Sequence, residues 1–265
     1  MVDGMIKEKS MKSYIWTLPT RVFHCLFAIL ILFAFLSDDD RLLTYHAIIG
    51  YLIFILLVFR FFWGVVGPEY SKFSDFVLNK KDLKEFFTNI FTHKEYVGHN
   101  PAASYIMIFM LIITFLTIIS GILTFGIQEG KGLLSFLNNS YFKKMELFEK
   151  IHESLSTILI ALIVIHLGGI FSDRLLKPKT KTLNSIFTGY KNLDKEVNIK
   201  LNIFQKILAF VFVLIFIAFF IFSFTNQGNL LLVSKYEPIN YEKQNELFVS
   251  ECASCHTLYP PRYIA

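Results

Sequence analysis

The sequence predicts an all-α integral membrane protein, in which a bundle of four transmembrane helices is followed by a fifth. Three observations lead to this prediction. Hydrophobic residues make up 54% of the 265-residue chain and charged residues only 18%, whereas about a quarter of a soluble domain is charged. The apolar residues lie in long uninterrupted blocks. Five of these blocks are long enough, or nearly so, to cross a hydrocarbon core about 30 Å thick.

The apolar blocks divide the chain into regions. The first block begins just after Tyr14 and Trp16, aromatic residues that are typical of a membrane interface. The five blocks are residues 22–36, 45–63, 102–127, 151–171 and 206–224. We expect a cytoplasmic extension (1–13), a four-helix core (14–171), a basic loop (172–203), the fifth helix (204–224) and a tail (225–265).

The charges between the blocks predict the orientation. Lysine and arginine are concentrated between the second and third blocks and between the fourth and fifth, whereas the turn SDDDRLLT after the first block is acidic. Because an excess of Lys and Arg marks the cytoplasmic side, we expect a multi-pass protein of the bacterial cytoplasmic membrane. Its N-terminus lies in the cytoplasm and its tail in the periplasm. The net charge of +5 then lies beside membrane lipid, and no nucleic-acid partner is expected.

Four of the seven histidines lie inside apolar blocks: His24, His46, His152 and His166. Ionisable residues are costly within a membrane and indicate a function there. His152 and His166 are 14 residues apart, about four helical turns, so they face the same way about 21 Å apart. Because successive blocks cross in alternating directions, His24 lies at the depth of His166 and His46 at the depth of His152.

Two level pairs of histidines on facing helices predict two b-type haems, because a haem iron can take one axial ligand from each face of the macrocycle. A single four-histidine metal site is excluded, since one helix holds its two histidines too far apart to share an ion. Arg21 and Arg60 either pair with haem propionates or anchor the inner surface. Gly50, one turn after His46, either makes room for the macrocycle or serves helix packing.

A C-x-x-C-H sequence near the end of the chain is the attachment pattern of a c-type haem. Cys252 and Cys255 would form the thioethers, and His256 would bind the iron. A zinc or thiol redox site would compete with this interpretation in a soluble cytosolic chain. Bacteria attach haem c outside the cytoplasmic membrane, where the charges place this tail, so we expect one haem c in addition to two haem b.

Four stretches occur in the order typical of the bacterial cytochrome b561 / nickel–iron hydrogenase cytochrome b family, which they resemble over roughly residues 14–171. They are IWTLPTRVFHCLF (15–27), HAIIGYLIFILLVFRFFWGVVGP (46–68), GHNP (98–101) and HESLSTILIALIVIHLGGI (152–170). The resemblance implies a membrane di-haem protein with ligand pairs His24/His166 and His46/His152, passing electrons between the quinone pool and a partner redox protein. Many members have Trp where this chain has Cys25.

Two further features bear on the chain's ends and loops. Residues 252–264 are similar to the opening of a small di-haem cytochrome c domain, and we expect the rest of that domain to be missing from this sequence. The GHNP stretch containing His99 either helps to shape a quinone pocket at the inner face or forms the turn at which the third helix begins, with its proline in the first turn; we expect the turn.

The leading functional hypothesis is a respiratory cytochrome that carries electrons between quinone or quinol and a periplasmic c-type cytochrome or redox-enzyme subunit. Such a chain is an electron-transfer component rather than a self-contained catalyst. The alternative is the cytochrome b anchor of a hydrogenase or formate dehydrogenase. A proton-coupled transporter with histidine relays is a remote alternative, because blocks two to five contain none of the prolines that break transporter helices.

Overall fold

The computed structural model describes residues 11–89, 96–138, 146–176 and 182–233. Five helices among these residues are long and apolar enough to cross a membrane, so the predicted all-α membrane fold is confirmed. The spanning helices are α1 (Leu18–Leu36), α2 (Leu43–Val66), α4 (Pro101–Ile127), α5 (Leu147–Leu176) and α7 (Ile203–Thr225). The shorter elements are β1 (Met11–Tyr14), α3 (Lys80–Thr88), α6 (Thr182–Thr188) and β2 (Tyr190–Leu193).

The spanning helices are longer than the apolar blocks, because helical hydrogen bonding continues through polar residues beyond the hydrocarbon region. Local sequence determines several helix starts. The Asn100 side chain accepts a hydrogen bond from the Ala103 backbone N–H at 2.8 Å, and Pro101 is in the first turn of α4, as predicted. At the start of α7, Asn202 and Gln205 form a reciprocal capping box.

Helix α2 is the centre of the bundle. It packs against α1, α4 and α7, while α5 packs chiefly against α4. Half of the most apolar stretch of α2 is buried within the chain, compared with 6% for α1, α5 and α7. A core cluster at mid-depth joins four helices: Ile31 of α1, Ile53 and Leu57 of α2, Ile118 of α4 and Leu159 of α5.

The alternating helices give the bundle two ends of different charge. The basic end contains the start of α1, residues 67–79, α3, α6 and the two strands, and it carries most of the described lysines. The acidic end contains residues 37–42, 128–138 and 226–233, together with the start of α5. The fifth spanning helix and the segment after it are attached to α2 at both ends of the bundle. At the basic end Gln205 donates to the Val66 carbonyl at 2.9 Å, and at the acidic end Tyr51 donates to the Leu231 carbonyl at 3.4 Å.

A small antiparallel sheet at the basic end was not predicted. Strand β1 pairs with β2 from Met11 opposite Leu193 to Tyr14 opposite Tyr190. Residues 11–13, taken above as part of a separate extension, are therefore part of the fold. The segment predicted as a basic loop likewise contains α6 and β2. Each four-residue strand pairs with a segment far away in sequence, so no local pattern indicates it.

Candidate functional site

The four membrane histidines lie along the seam between two pairs of packed helices. His24 is in the second turn of α1 and His46 near the start of α2, and these two helices pack together. His152 and His166 are both on α5, which packs against α4. All four side chains are half-buried. The structure therefore brings histidines from opposite sides of the seam together at two depths.

At the acidic end, the rings of His46 and His152 lie opposite each other in an edge-to-face arrangement. Their centres are 6.1 Å apart, and their planes are inclined by 79°. An imidazole nitrogen lies about 2 Å from a bound metal ion, so two rings on opposite sides of one ion have their centres about 6 Å apart. The separation of His46 and His152 fits the axial ligation of one iron.

The ring of His46 is oriented by the end of α1. Its Nδ1 donates to the Ala34 carbonyl at 3.0 Å and lies 3.3 Å from Ser37 Oγ. Ser37 Oγ itself donates to the same carbonyl at 3.1 Å. Because a carbonyl can only accept, the proton of the neutral ring is on Nδ1, and Nε2 keeps the lone pair with which imidazole binds a metal.

The same arrangement repeats around His152, with α4 as the supporting helix. His152 Nδ1 donates to the Thr117 carbonyl at 2.9 Å and lies 3.2 Å from Ser120 Oγ. Ser120 Oγ donates to that carbonyl at 2.9 Å. In both cases the histidine is held by a backbone carbonyl and by the serine three residues further along. Both members of the acidic-end pair therefore present Nε2 for ligation.

Two glycines leave space around this pair. A Cβ added at Gly121 would lie 2.9 Å from His152 Cε1, so the absence of a side chain there allows the ring to lie against α4. A Cβ added at Gly50 would meet no atom within 4 Å. Open space one turn from His46 is what a flat macrocycle beside that histidine requires.

At the basic end, His24 and His166 lie close enough to interact electrostatically. His99, for which the sequence favours a helix-start turn over a quinone pocket, lies at the same level and interacts with His166. Its ring centre is 4.8 Å from that of Trp16 and 5.0 Å from that of Phe76. The sequence signal that pointed to this residue was its place in GHNP, directly before α4.

The pKa of His99 is lowered to about 3, first by burial and then by the nearby positive charges of Arg60 and Lys191. His99 is therefore neutral at physiological pH, and one of its ring nitrogens carries a proton. A neutral imidazole next to two cations can donate one hydrogen bond without adding a further positive charge.

Arg21 and Arg60 both lie at the basic end. Arg60 Nη1 donates to the Ser71 carbonyl at 3.0 Å, and its guanidinium lies 4.7 Å from the centre of the Phe73 ring. Arg21 Nη1 donates to the Phe187 carbonyl, while its buried Nε has no partner in the described chain. A buried donor without an acceptor is costly, and the carboxylate of a haem propionate would supply one.

These features fit haem b at both levels: an Nε2 lone pair on His46 and on His152, open space beside Gly50 and an orphaned guanidinium donor on Arg21. Cys252, Cys255 and His256, predicted to attach haem c, lie outside the described residues.

One comparison with known proteins identifies a family. The family described as prokaryotic cytochrome b561 matches residues 15–189, about two thirds of the 265 residues. This match includes all four membrane histidines and His99. No curated protein and no solved structure matches the chain.

Proposed function

This chain belongs to the prokaryotic cytochrome b561 family, and we propose that it carries electrons across the cytoplasmic membrane between the quinone pool and a periplasmic redox protein. The family and the five spanning helices make it a membrane-bound b-type cytochrome of electron transfer. The observation that carries the finer proposal is the arrangement of two histidine pairs at two depths, one towards each end of the bundle.

In this proposal His46 and His152 ligate one haem b, and His24 and His166 ligate a second. With two histidines holding each iron, bound haem b would supply reversible one-electron transfer rather than chemistry on a substrate. The chain orients the ligands: the carbonyls of Ala34 and Thr117 keep the acidic-end rings in the tautomer that binds metal.

The apolar core between the two levels excludes water from the middle of the membrane. Ile53, Leu57, Ile118 and Leu159 are buried there, at the depth between the histidine pairs. This dry, low-dielectric interior separates each proposed haem from solvent and from the charged groups that surround the other haem. Electron transfer between the levels then needs no ion or water to move with the electron through the core.

The orientation of the chain follows from its charges. With the basic end in the cytoplasm, His24 and His166 lie near the cytoplasmic surface and His46 and His152 near the periplasmic surface. The tail with Cys252, Cys255 and His256 is then periplasmic, and it carries one haem c that exchanges electrons with a periplasmic c-type cytochrome or redox-enzyme subunit. Quinone or quinol is the membrane-soluble substrate.

A pyridine haemochrome spectrum of the purified chain, before and after acid–acetone extraction, tests the proposed haem content. Haem b leaves with the solvent, while thioether-linked haem c stays on the polypeptide. We expect two haem b and one haem c per chain. Two haem b without haem c would retain the membrane core and reject the proposed role of the tail. A chain without haem would reject the proposal as a whole.

Proteoliposomes test whether the chain takes electrons from a quinol in the membrane and passes them to a redox protein on the periplasmic side. A membrane-soluble quinol should chemically reduce haem b in the membrane of sealed vesicles, which its absorbance spectrum reports. Oxidised cytochrome c added outside should then reoxidise this haem. Reoxidation that does not require Cys252 and Cys255 would show that electrons leave the membrane core directly, as expected for the anchor of a larger redox enzyme.

A further inference from the structure

His99 lies near the pair His24 and His166. It is far in sequence from α1 and α5, the helices that carry these two histidines. Its contacts with Trp16 and Phe76 are ring-to-ring contacts. Within the described chain, no hydrogen bond joins Nδ1 or Nε2 of His99 to another residue. A polar ring beside His166 therefore has a hydrogen-bonding edge left for a molecule other than the protein.

Arg60 supplies a positive charge to the same place. Its guanidinium lies 5.7 Å from the centre of the Phe76 ring, which the His99 ring also contacts at 5.0 Å. The Ser71 carbonyl and the Phe73 ring fix the guanidinium in this position. Arg60 makes no ion pair within the described chain. A guanidinium near the hydrocarbon region is strongly favoured when an anion accepts its remaining N–H groups.

Lys191 fixes the loop that carries His99. Its ammonium group, on a side chain only 6% exposed, donates to the carbonyls of Tyr96 and Val97. Strand β2 thereby holds the residues just before His99 in place. The positive charge of Lys191 also acts on His99 and adds to the positive potential around its free edge.

We propose that Arg60 and His99 together bind the carboxylate of a propionate of the haem held by His24 and His166, with Lys191 positioning His99. This inference rests on the proposed function. A carboxylate matches the site better than a quinone headgroup, because a quinone carbonyl is neutral and gains little from two nearby cations. Closeness to His166 favours an acid group of the ligated cofactor over a lipid phosphate.

Reconstitution of the full apo-chain with haem b or with haem b dimethyl ester tests this pairing, because the ester removes the negative charge from both propionates. The rate at which haem transfers to apomyoglobin measures how firmly the chain retains it. The kinetic phase of release that is absent in His166→Ala is the one that belongs to this site. We expect the ester to leave the wild-type site about tenfold faster than haem b, as for a lost charge-assisted hydrogen bond.

The variants isolate the two donors. His99→Phe keeps the ring contacts with Trp16 and Phe76 but removes the donor, and Arg60→Gln removes the charge. In the double variant we expect most of the difference in release rate between ester and free-acid haem to disappear, and the remainder to reflect the contact that Arg21 offers to a propionate. His99→Gln and Arg60→Lys retain a donor and should keep part of the difference. Arg41→Gln, at the exposed acidic end, should keep all of it.

Three results would overturn the inference in distinguishable ways. An ester effect of the same size in the double variant would show that Arg60 and His99 do not bind the propionate. No ester effect in the wild type, together with release that phosphatidylglycerol slows only when Arg60 and His99 are present, would assign the site to a lipid phosphate. A wild-type chain that binds no haem b would instead reject the proposed function itself.

Discussion

The two histidine pairs differ in how the protein holds them and in which charges surround them. At the acidic end, His46 and His152 each donate to a backbone carbonyl, and Asp38 and Glu153 lie near enough to His152 to act on it electrostatically. At the basic end, His166 lies beside His99 and the cations that surround it. Helix α5 thus places the same kind of side chain in two opposite electrostatic environments.

In the proposed di-haem protein, ligand identity and redox behaviour are therefore set separately. Each proposed ligand needs only a histidine at the right depth. The potential depends on the surrounding charges, because a nearby cation favours the reduced, less positive iron and a carboxylate favours the oxidised iron. We therefore expect the haem at the basic end to have the higher midpoint potential.

The largest expected effect comes from removing a ligand at one level only. His152→Ala should remove the acidic-end haem and leave the basic-end haem bound, so about half of the haem b is lost. His166→Ala should do the reverse. A pyridine haemochrome assay with redox titration checks which potential disappears.

Ser154→Ala serves as the control, because Ser154 is exposed on the same helix and, among the described residues, its hydroxyl bonds only to the Lys150 carbonyl. If His152→Ala and His166→Ala removed the same redox component, the division into two independent levels would be wrong.

A smaller effect is expected from crowding one ring. Gly121→Ala places a methyl group 2.9 Å from His152 Cε1, so the ring must shift away from α4 at a cost of about 1–3 kcal/mol. We expect weaker haem retention at the acidic end and a changed low-spin electron paramagnetic resonance signal from that level alone.

Gly168→Ala is the matched control, since a Cβ at Gly168 meets nothing within 4 Å. Unchanged spectra in Gly121→Ala would mean that haem binding moves His152 away from α4.

The smallest expected effect comes from neutralising one charge near a level. Glu153→Gln and Asp38→Asn should each raise the acidic-end midpoint potential, because each removes a negative charge that favours the oxidised iron. The shift should be only some tens of millivolts, because exposed charges are strongly screened. The basic-end potential should stay constant. A spectroelectrochemical titration at low and high salt measures both, and the shift should shrink at high salt.

Asp82→Asn, on α3 at the opposite end, should leave the acidic-end potential unchanged. Equal shifts at both levels would show that the local charges do not explain the difference between them.

Much of this architecture could be predicted without coordinates, for identifiable reasons. The five spans follow from the length and composition of apolar blocks, although every helix extends beyond its block at one end or at both. The pairing of His46 with His152 follows from helix periodicity and alternating direction, and the opposed rings agree with it. The sheet could not be predicted, because its four-residue strands have no pattern of their own.

The number of spans, the depths of the four histidines and the family resemblance could be read from the sequence, because they depend on local composition, periodicity and ordered motifs. What each histidine touches is visible only once the helices are packed. The carbonyl of Thr117 beside His152, the space at Gly121 and the position of His99 near His166 all join residues from different segments. Such contacts depend on how helices rotate and pack against one another, which hydrophobicity along one helix does not specify.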